Sequence, residues 1–206
     1  MKTAAIATLI AATAFTVNAE ESVRFADAFT AQNQTLHLDV GVGEVKVKAS
    51  DDDQIRYEVE VKPSNNGWGW FKKDKVRQDL EVVVNRSNGV TRIELNEQED
   101  VNQAWTVYLP QSMAFNLDIG VGDARINGVE GDINVDMGVG SVRVDGAHPD
   151  YSQVKLAAGV GDVSVSADIN GSENRHVVGG DYSYRGQGDT EVKVDVGVGD
   201  VRLTAK

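Results

Sequence analysis

The amino-acid sequence predicts an all-β chain: a single-stranded β-solenoid of ~19-residue rungs with Gly-x-Gly-Asp corners, preceded by a partly antiparallel β-region. Three observations predict it. The phrase Asp195-Val-Gly-Val-Gly-Asp-Val-Arg-Leu203 recurs at Asp39–Val47, Asp118–Ile126, Asp136–Val144 and Ala157–Val165. Counting a worn copy at Val178-Gly-Gly-Asp-Tyr-Ser-Tyr184, the phrases follow one another from Gly120 at spacings of 18, 21, 19 and 19 residues. Within each phrase the apolar residues alternate, as at Val192, Val194, Val196 and Val198, and then resume one residue out of step at Val201 and Leu203. Alternation places those side chains on one face of a strand. The slip after Val198 requires a bend if Val201 is to point inward again. The corners are therefore assigned to Gly41, Gly43, Gly120, Gly122, Gly138, Gly140, Gly159, Gly161, Gly197 and Gly199.

The first nineteen residues read as an export signal rather than as part of the fold. Lys2 supplies the positive start, Ala4 to Val17 is small and apolar, and Val17-Asn18-Ala19 fits a small-residue cleavage site. The competing reading is a membrane anchor, but the run is alanine-rich and short of the ~20 strongly apolar residues a span needs. Cleavage would leave residues 20–206 as one β-repeat domain with no transmembrane segment, exported to the periplasm, the cell surface or the medium. The absence of cysteine removes both a lipid-anchored cysteine and disulfides from consideration.

In chain order, Glu20 to Asn33 carries Phe25 and Phe29 and is suited to cover the first open edge of the repeats. Asp51-Asp52-Asp53 turns into an alternating strand at Ile55, Tyr57, Val59 and Val61. Residues Pro63 to Lys75 break the pattern as an irregular excursion around Asn65-Asn66-Gly67. Strands resume at Val76 to Val84 and Val90 to Leu95, and the five-residue turn Asn85 to Gly89 makes that pair an antiparallel hairpin. A last strand, Ala104 to Leu109, stops at Pro110. Residues 20–110 thus hold one rung, antiparallel strands and a tryptophan loop, and 111–206 hold tandem rungs stacked in parallel about 4.8 Å apart.

Val107-Tyr-Leu-Pro110, followed by Phe115-Asn-Leu-Asp-Ile-Gly-Val-Gly-Asp123 and the later repeats, resembles the bacterial putative adhesin family, a domain of unknown function built from β-strand repeats in exported and envelope proteins. The resemblance covers roughly Thr35 to Leu203. It implies a solenoid-like fold and a binding or scaffolding role, with no catalytic residues to carry over. The chain departs from the family pattern in its tryptophan excursion, its worn copy and Ser141, which stands where other rungs have Asp or Glu.

Chemistry is sparse. With Lys2 removed, 19 basic residues face 32 acidic ones, a net charge of −13 that disfavours nucleic acid as a partner. His37, His148 and His176 lie in different repeats without metal-ligand spacing. No nucleophile elbow or phosphate loop is present. Stacked rungs align Asp118, Asp136 and Asp195 before the corner and Asp123, Asp162, Asp181 and Asp200 after it. The second set are weak candidates for calcium, the only cofactor considered. Equally, Lys46, Arg125, Arg143 and Arg202 follow two residues later on the same face and offset the charge without a metal. Trp68, Trp70, Phe71, Lys72 and Lys73 form either a partner-contact tip or a cover for an open end of the core. The resulting expectation is a non-enzymatic, adhesin-like binding or scaffolding module whose partner is an envelope protein or glycan. Its alternatives are a purely architectural periplasmic protein and, third, a polysaccharide-acting β-helix enzyme.

Overall fold

The structure, a computed structural model, describes residues 13–14, 22–32, 35–64, 79–146 and 151–205. These residues form an open mixed sheet of fourteen strands and no helix. The strands are β1 Thr13–Ala14, β2 Val23–Thr30, β3 Thr35–Ser50, β4 Gln54–Pro63, β5 Val82–Ser87, β6 Val90–Leu95 and β7 Val101–Pro110, then β8 Ala114–Asn127, β9 Ile133–Gly146, β10 Tyr151–Val160, β11 Val163–Ser166, β12 Ser172–Arg175, β13 Gly180–Arg185 and β14 Thr190–Ala205. Of the residues read as an export signal, only Thr13–Ala14 are described, paired antiparallel with Ala26 and Phe25.

The repeats form the middle of the sheet. β3, β8, β9, β14 and β10 lie side by side in that order, all parallel, so that like residues of each phrase stand opposite one another. Each long strand has two arms on either side of its Gly-x-Gly, and at the two ends of the stack the neighbours change at the corner. The first arm of β3 pairs with β6, which is in hairpin with β5. The second arm of β3 pairs with β7, followed outward by β4 and β2. Only Gly128 to Asp132 separate the end of β8 from the start of β9, so the chain returns quickly from one arm to the next. Both arms direct their apolar residues into one continuous core, from Phe25 through Trp105 and Phe115 to Leu203. Trp105 and Tyr57 pack as a tilted pair, with ring centroids 5.8 Å apart and planes at 53°, near the β4–β7 end.

The structure corrects three details of the sequence reading. The first is register at the corner: Val42, Val121, Val139, Val160 and Val198 point outward, 36% to 48% exposed, whereas alternation alone turns them inward. The phase slip is spread over the four residues between Val196 and Val201, both buried, and Val198 among them is turned to solvent. The second is the worn copy: Val178–Tyr184 is not a parallel rung, because β13 runs antiparallel to β10 and is itself edged by β12. The third is stacking order. β13 returns the chain to the starting end of β10, with Arg185 opposite Gln153, and residues 186–189 carry it to the other side of that strand. The last repeat, β14, therefore inserts between β9 and β10.

The corner tolerates glycine alone, for reasons of space as well as dihedral angle. Gly122, Gly140 and Gly199 have φ of 152°, 142° and 141°, a region that L side chains avoid. A Cβ built on Gly140 would lie 1.7 Å from the Gly122 carbonyl oxygen, and one on Gly199 1.7 Å from that of Gly140. The turn of the β5–β6 hairpin is similarly specific: Asn88 and Gly89 both have positive φ, 51° and 80°, the pattern of a two-residue type I′ connection.

Gly140→Ala is expected to destabilise the protein by roughly 3 kcal/mol or more, since two backbones must separate. Val139→Ser, one residue away and outward, is expected to stay within about 0.5 kcal/mol. Urea unfolding of the two variants checks the pair, and equal losses would refute the register.

Candidate binding face

The outward positions of the second arm are ordered in rows because the strands are parallel and in register. The first row is Val42, Val121, Val139, Val198 and Val160. Two residues on come Glu44, Asp123, Ser141 and Asp200, with Asp162 beside them donating its backbone N–H to an Asp200 carboxylate oxygen at 3.0 Å. Two further on come Lys46, Arg125, Arg143, Arg202 and Ser164. Strands bring one member of each row every ~4.8 Å, giving adjacent apolar, acidic and basic stripes. A groove of about 560 Å³ runs along the charged rows, bordered by Arg175 from β12.

Ion pairing within these rows is incomplete. Lys46 reaches Glu44 at 3.1 Å, and Arg143 turns the other way to Asp145, its Nε 2.9 and 3.1 Å from the two carboxylate oxygens. Arg175 is held by Glu173 at 2.6 Å. Arg202 donates to the Ser164 hydroxyl at 3.3 Å, and neither it nor Arg125 has a carboxylate within ion-pair distance among the described residues. Asp145 holds the Arg143 guanidinium above its ordinary pKa by accepting its hydrogen bond.

Before the corner a second acidic row aligns Asp39, Asp118, Asp136 and Asp195, and ends at Ala157. A polar chain supports its first two members. The Trp105 indole N–H donates to Gln103 at 2.8 Å, Gln103 donates to Gln98 at 3.3 Å, and Gln98 donates to Asp39 at 3.1 Å. Arg92 lies 3.6 Å from Asp39 and 3.4 Å from His37 Nδ1, while His37 Nε2 lies 2.8 Å from Asp118. Arg92 thus presents a donor to Nδ1, and Nε2 faces the Asp118 carboxylate.

The calcium candidates separate in space. Asp123, Asp162 and Asp200 share the groove, but Asp181 stands opposite Ala157 on the pre-corner side. There it accepts from Asn174 at 3.0 Å and pairs with His176 at 3.2 Å, clipping the β12–β13 hairpin. These two contacts, Asn174 first, hold its carboxyl below the usual carboxylate range. Among the described residues no three His, Asp or Glu side chains converge as metal ligands do. The tryptophan tip of Trp68, Trp70, Phe71, Lys72 and Lys73 lies outside the described residues, as does His148. No helix among the described residues is long and apolar enough to cross a membrane.

Sequence reasoning missed the valine row and the polar chain. The valine row has a signal in retrospect: counting back in steps of two from Leu203 puts Val198 out of phase, so one side of the corner must expose it. The polar chain has none, because Trp105, Gln98 and His37 meet only once β3, β6 and β7 are assembled.

Comparison with known proteins follows the fold. The model of the family described as the N-terminal domain of toast_rack, DUF2154, matches residues 13–166. No curated protein matches the chain. The crystal structure of a putative cell adhesion protein from Clostridium sporogenes ATCC 15579 is similar with a TM-score of 0.51 at 16% identity, over 88% of this chain and 99% of that one. That of a putative adhesin from Bacteroides fragilis NCTC 9343 gives a TM-score of 0.25 at 10% identity, over 87% and 96% of the two chains. The first is a likeness of fold, and the second is too distant to support an argument.

Two measurements probe this face. Millimolar calcium is expected to raise the melting temperature no more than sodium at matched ionic strength, because among the described residues no three carboxylate or imidazole ligands converge; a rise specific to calcium and abolished by Asp162→Asn with Asp200→Asn would show a site. Because the folded pKa of Asp181 is depressed, its contribution is complete above the unfolded value of ~3.9 and is lost as pH falls through the folded value. The protection of β12 amides, taken against intrinsic exchange at each pH, is therefore expected to fall below about pH 4 in the wild type, with Asp181→Asn already weakly protected at neutral pH.

Proposed function

Because the chain belongs to the family of the toast_rack N-terminal domain, DUF2154, we propose that it is an exported, non-catalytic, adhesin-like binding module of the bacterial envelope. Its repeats would act as a short solenoid-type scaffold that holds the corner ridge toward an envelope protein or glycan. The observation that carries this reading is the valine row. Five valines in register, each about half exposed, form an apolar stripe across five strands, some 20 Å long at strand spacing. Val178 and Val177 extend its exposed apolar character at the β10 end, where Val178 accepts from the Gly161 N–H at 2.9 Å. Contiguous exposed apolar surface of this kind is characteristic of contact sites, because solvent exposure of such a stripe serves no folding purpose.

One further consideration supports it: the fold is shared with a protein described as a putative cell adhesion protein, over 88% of this chain and 99% of that one.

The triple variant Val121→Ser, Val139→Ser, Val198→Ser tests the proposal. Its melting temperature should fall only slightly, since the three side chains are about half exposed and outside the fully buried core, whereas recovery of partners from envelope fractions should fall severalfold. Undiminished recovery would overturn the role of the ridge.

A further inference from the structure

We infer that the charged rows beside the corner are a self-complementary surface that pairs with a second copy of this chain. This deepens the reading of the protein as a binding module by naming a homotypic partner. The rows repeat strand by strand: Asp123 then Arg125 on β8, Ser141 then Arg143 on β9, Asp200 then Arg202 on β14. All six side chains are exposed on one sheet face. A two-fold axis running along the rows, midway between acidic and basic, reverses the strand direction and keeps the order of strands. It sets each acidic row over the other copy's basic row. Asp123 then faces the partner's Arg125, and Asp200 the partner's Arg202, with every relation returned by symmetry. The other in-plane two-fold, running along the strands, sets acidic row over acidic and basic over basic.

Incomplete pairing within one chain is what favours a second copy over a solvated face. Lys46 and Arg143 show that carboxylates two residues away along a strand are within reach, at 3.1 Å and 2.9 Å. Arg125 and Arg202 have carboxylates at that same spacing, Asp123 and Asp200, and yet form no ion pair with them. Cations on neighbouring strands repel by roughly 1 kcal/mol in bulk water and several-fold more at lower effective dielectric. The groove above them leaves both guanidiniums open to an incoming carboxylate. Arg is the side chain best shaped for a forked bond to a carboxylate, and charge-driven association of this type is strongly salt-dependent.

Charge exchange tests it. One variant carries Asp123→Arg and Asp200→Arg, and the other Arg125→Asp and Arg202→Asp. Sedimentation velocity at low salt is expected to show self-association of the wild type that salt abolishes, and self-association weakened roughly tenfold or more in each variant alone. Mixing the two variants should restore association, because each then offers the row that the other lacks. A wild type that stays monomeric at low salt, or variants that remain apart when mixed, would overturn the inference. Should either double variant fail to fold, Asp200→Arg and Arg202→Asp alone give the same cross-test on one strand. The valine variant retains these rows, so lost envelope recovery with intact self-association, or the reverse, separates the two proposals.

Discussion

The constraint on which the rest of the structure depends is the contact of backbone with backbone at the corners. Gly122 sits so close to Gly43, Gly140 to Gly122 and Gly199 to Gly140 that one added methyl group would overlap a carbonyl oxygen on the neighbouring strand. Parallel strands at their ordinary spacing can bend together only if nothing occupies the inside of the bend. Once that is met, the two arms of each strand face a shared core, and Val, Leu and Ile of similar size stack on their counterparts above and below. Register follows from the same condition, since slipping one strand by a residue would bring a valine against the corner oxygen and turn its core side chains to solvent.

In-register stacking has an electrostatic cost that the molecule offsets in different ways along its length. Near the β3 end, Asp39 and Asp118 are supported by Arg92, His37 and the chain of amides leading from Trp105. Beyond the corner, Lys46 and Arg143 are paired within their own strands. Ser141 removes one charge from an acidic row, and Ala157 ends another. The remaining charged and apolar stripes are exposed together on the second arm, which is why that surface, rather than a closed cavity, is where binding is to be sought.

The ends of the repeat stack are closed unequally. At the β3 end the insertion between the first and second phrases supplies β4 to β7, and β2 covers the outer edge with Phe25 buried against the core. At the other end the β12–β13 hairpin pairs with β10 on the first arm, while on the second arm β11 is paired to β14 alone. Edge strands invite pairing with other chains, and the short length of β11 limits that.

The all-β class and the repeat phrases were legible in the sequence because both rest on local periodicity. Alternation names a strand, Gly-x-Gly a corner, and recurrence near twenty residues a stack of parallel strands; the in-register pairing of Asp118 with Asp136, and of Arg125 with Arg143, follows from those alone. The β5–β6 hairpin was equally local, although its connection is the two residues Asn88-Gly89 rather than the five from Asn85 to Gly89, because Asn85 to Ser87 stay paired in the strand. What only the tertiary structure decided depends on which strand lies beside which. The copy at Val178–Tyr184 has the residues of a degraded rung, yet it runs antiparallel, because a hairpin return places the chain where the last repeat can enter between β9 and β10. That insertion makes Ser141 and Asp162, rather than Asp181, the neighbours of Asp200. The outward turn of Val139 and its counterparts was decided there as well: a phase slip tells that the strand bends, but which side of the bend a valine occupies is set by the glycine backbones packed against it from the next strand.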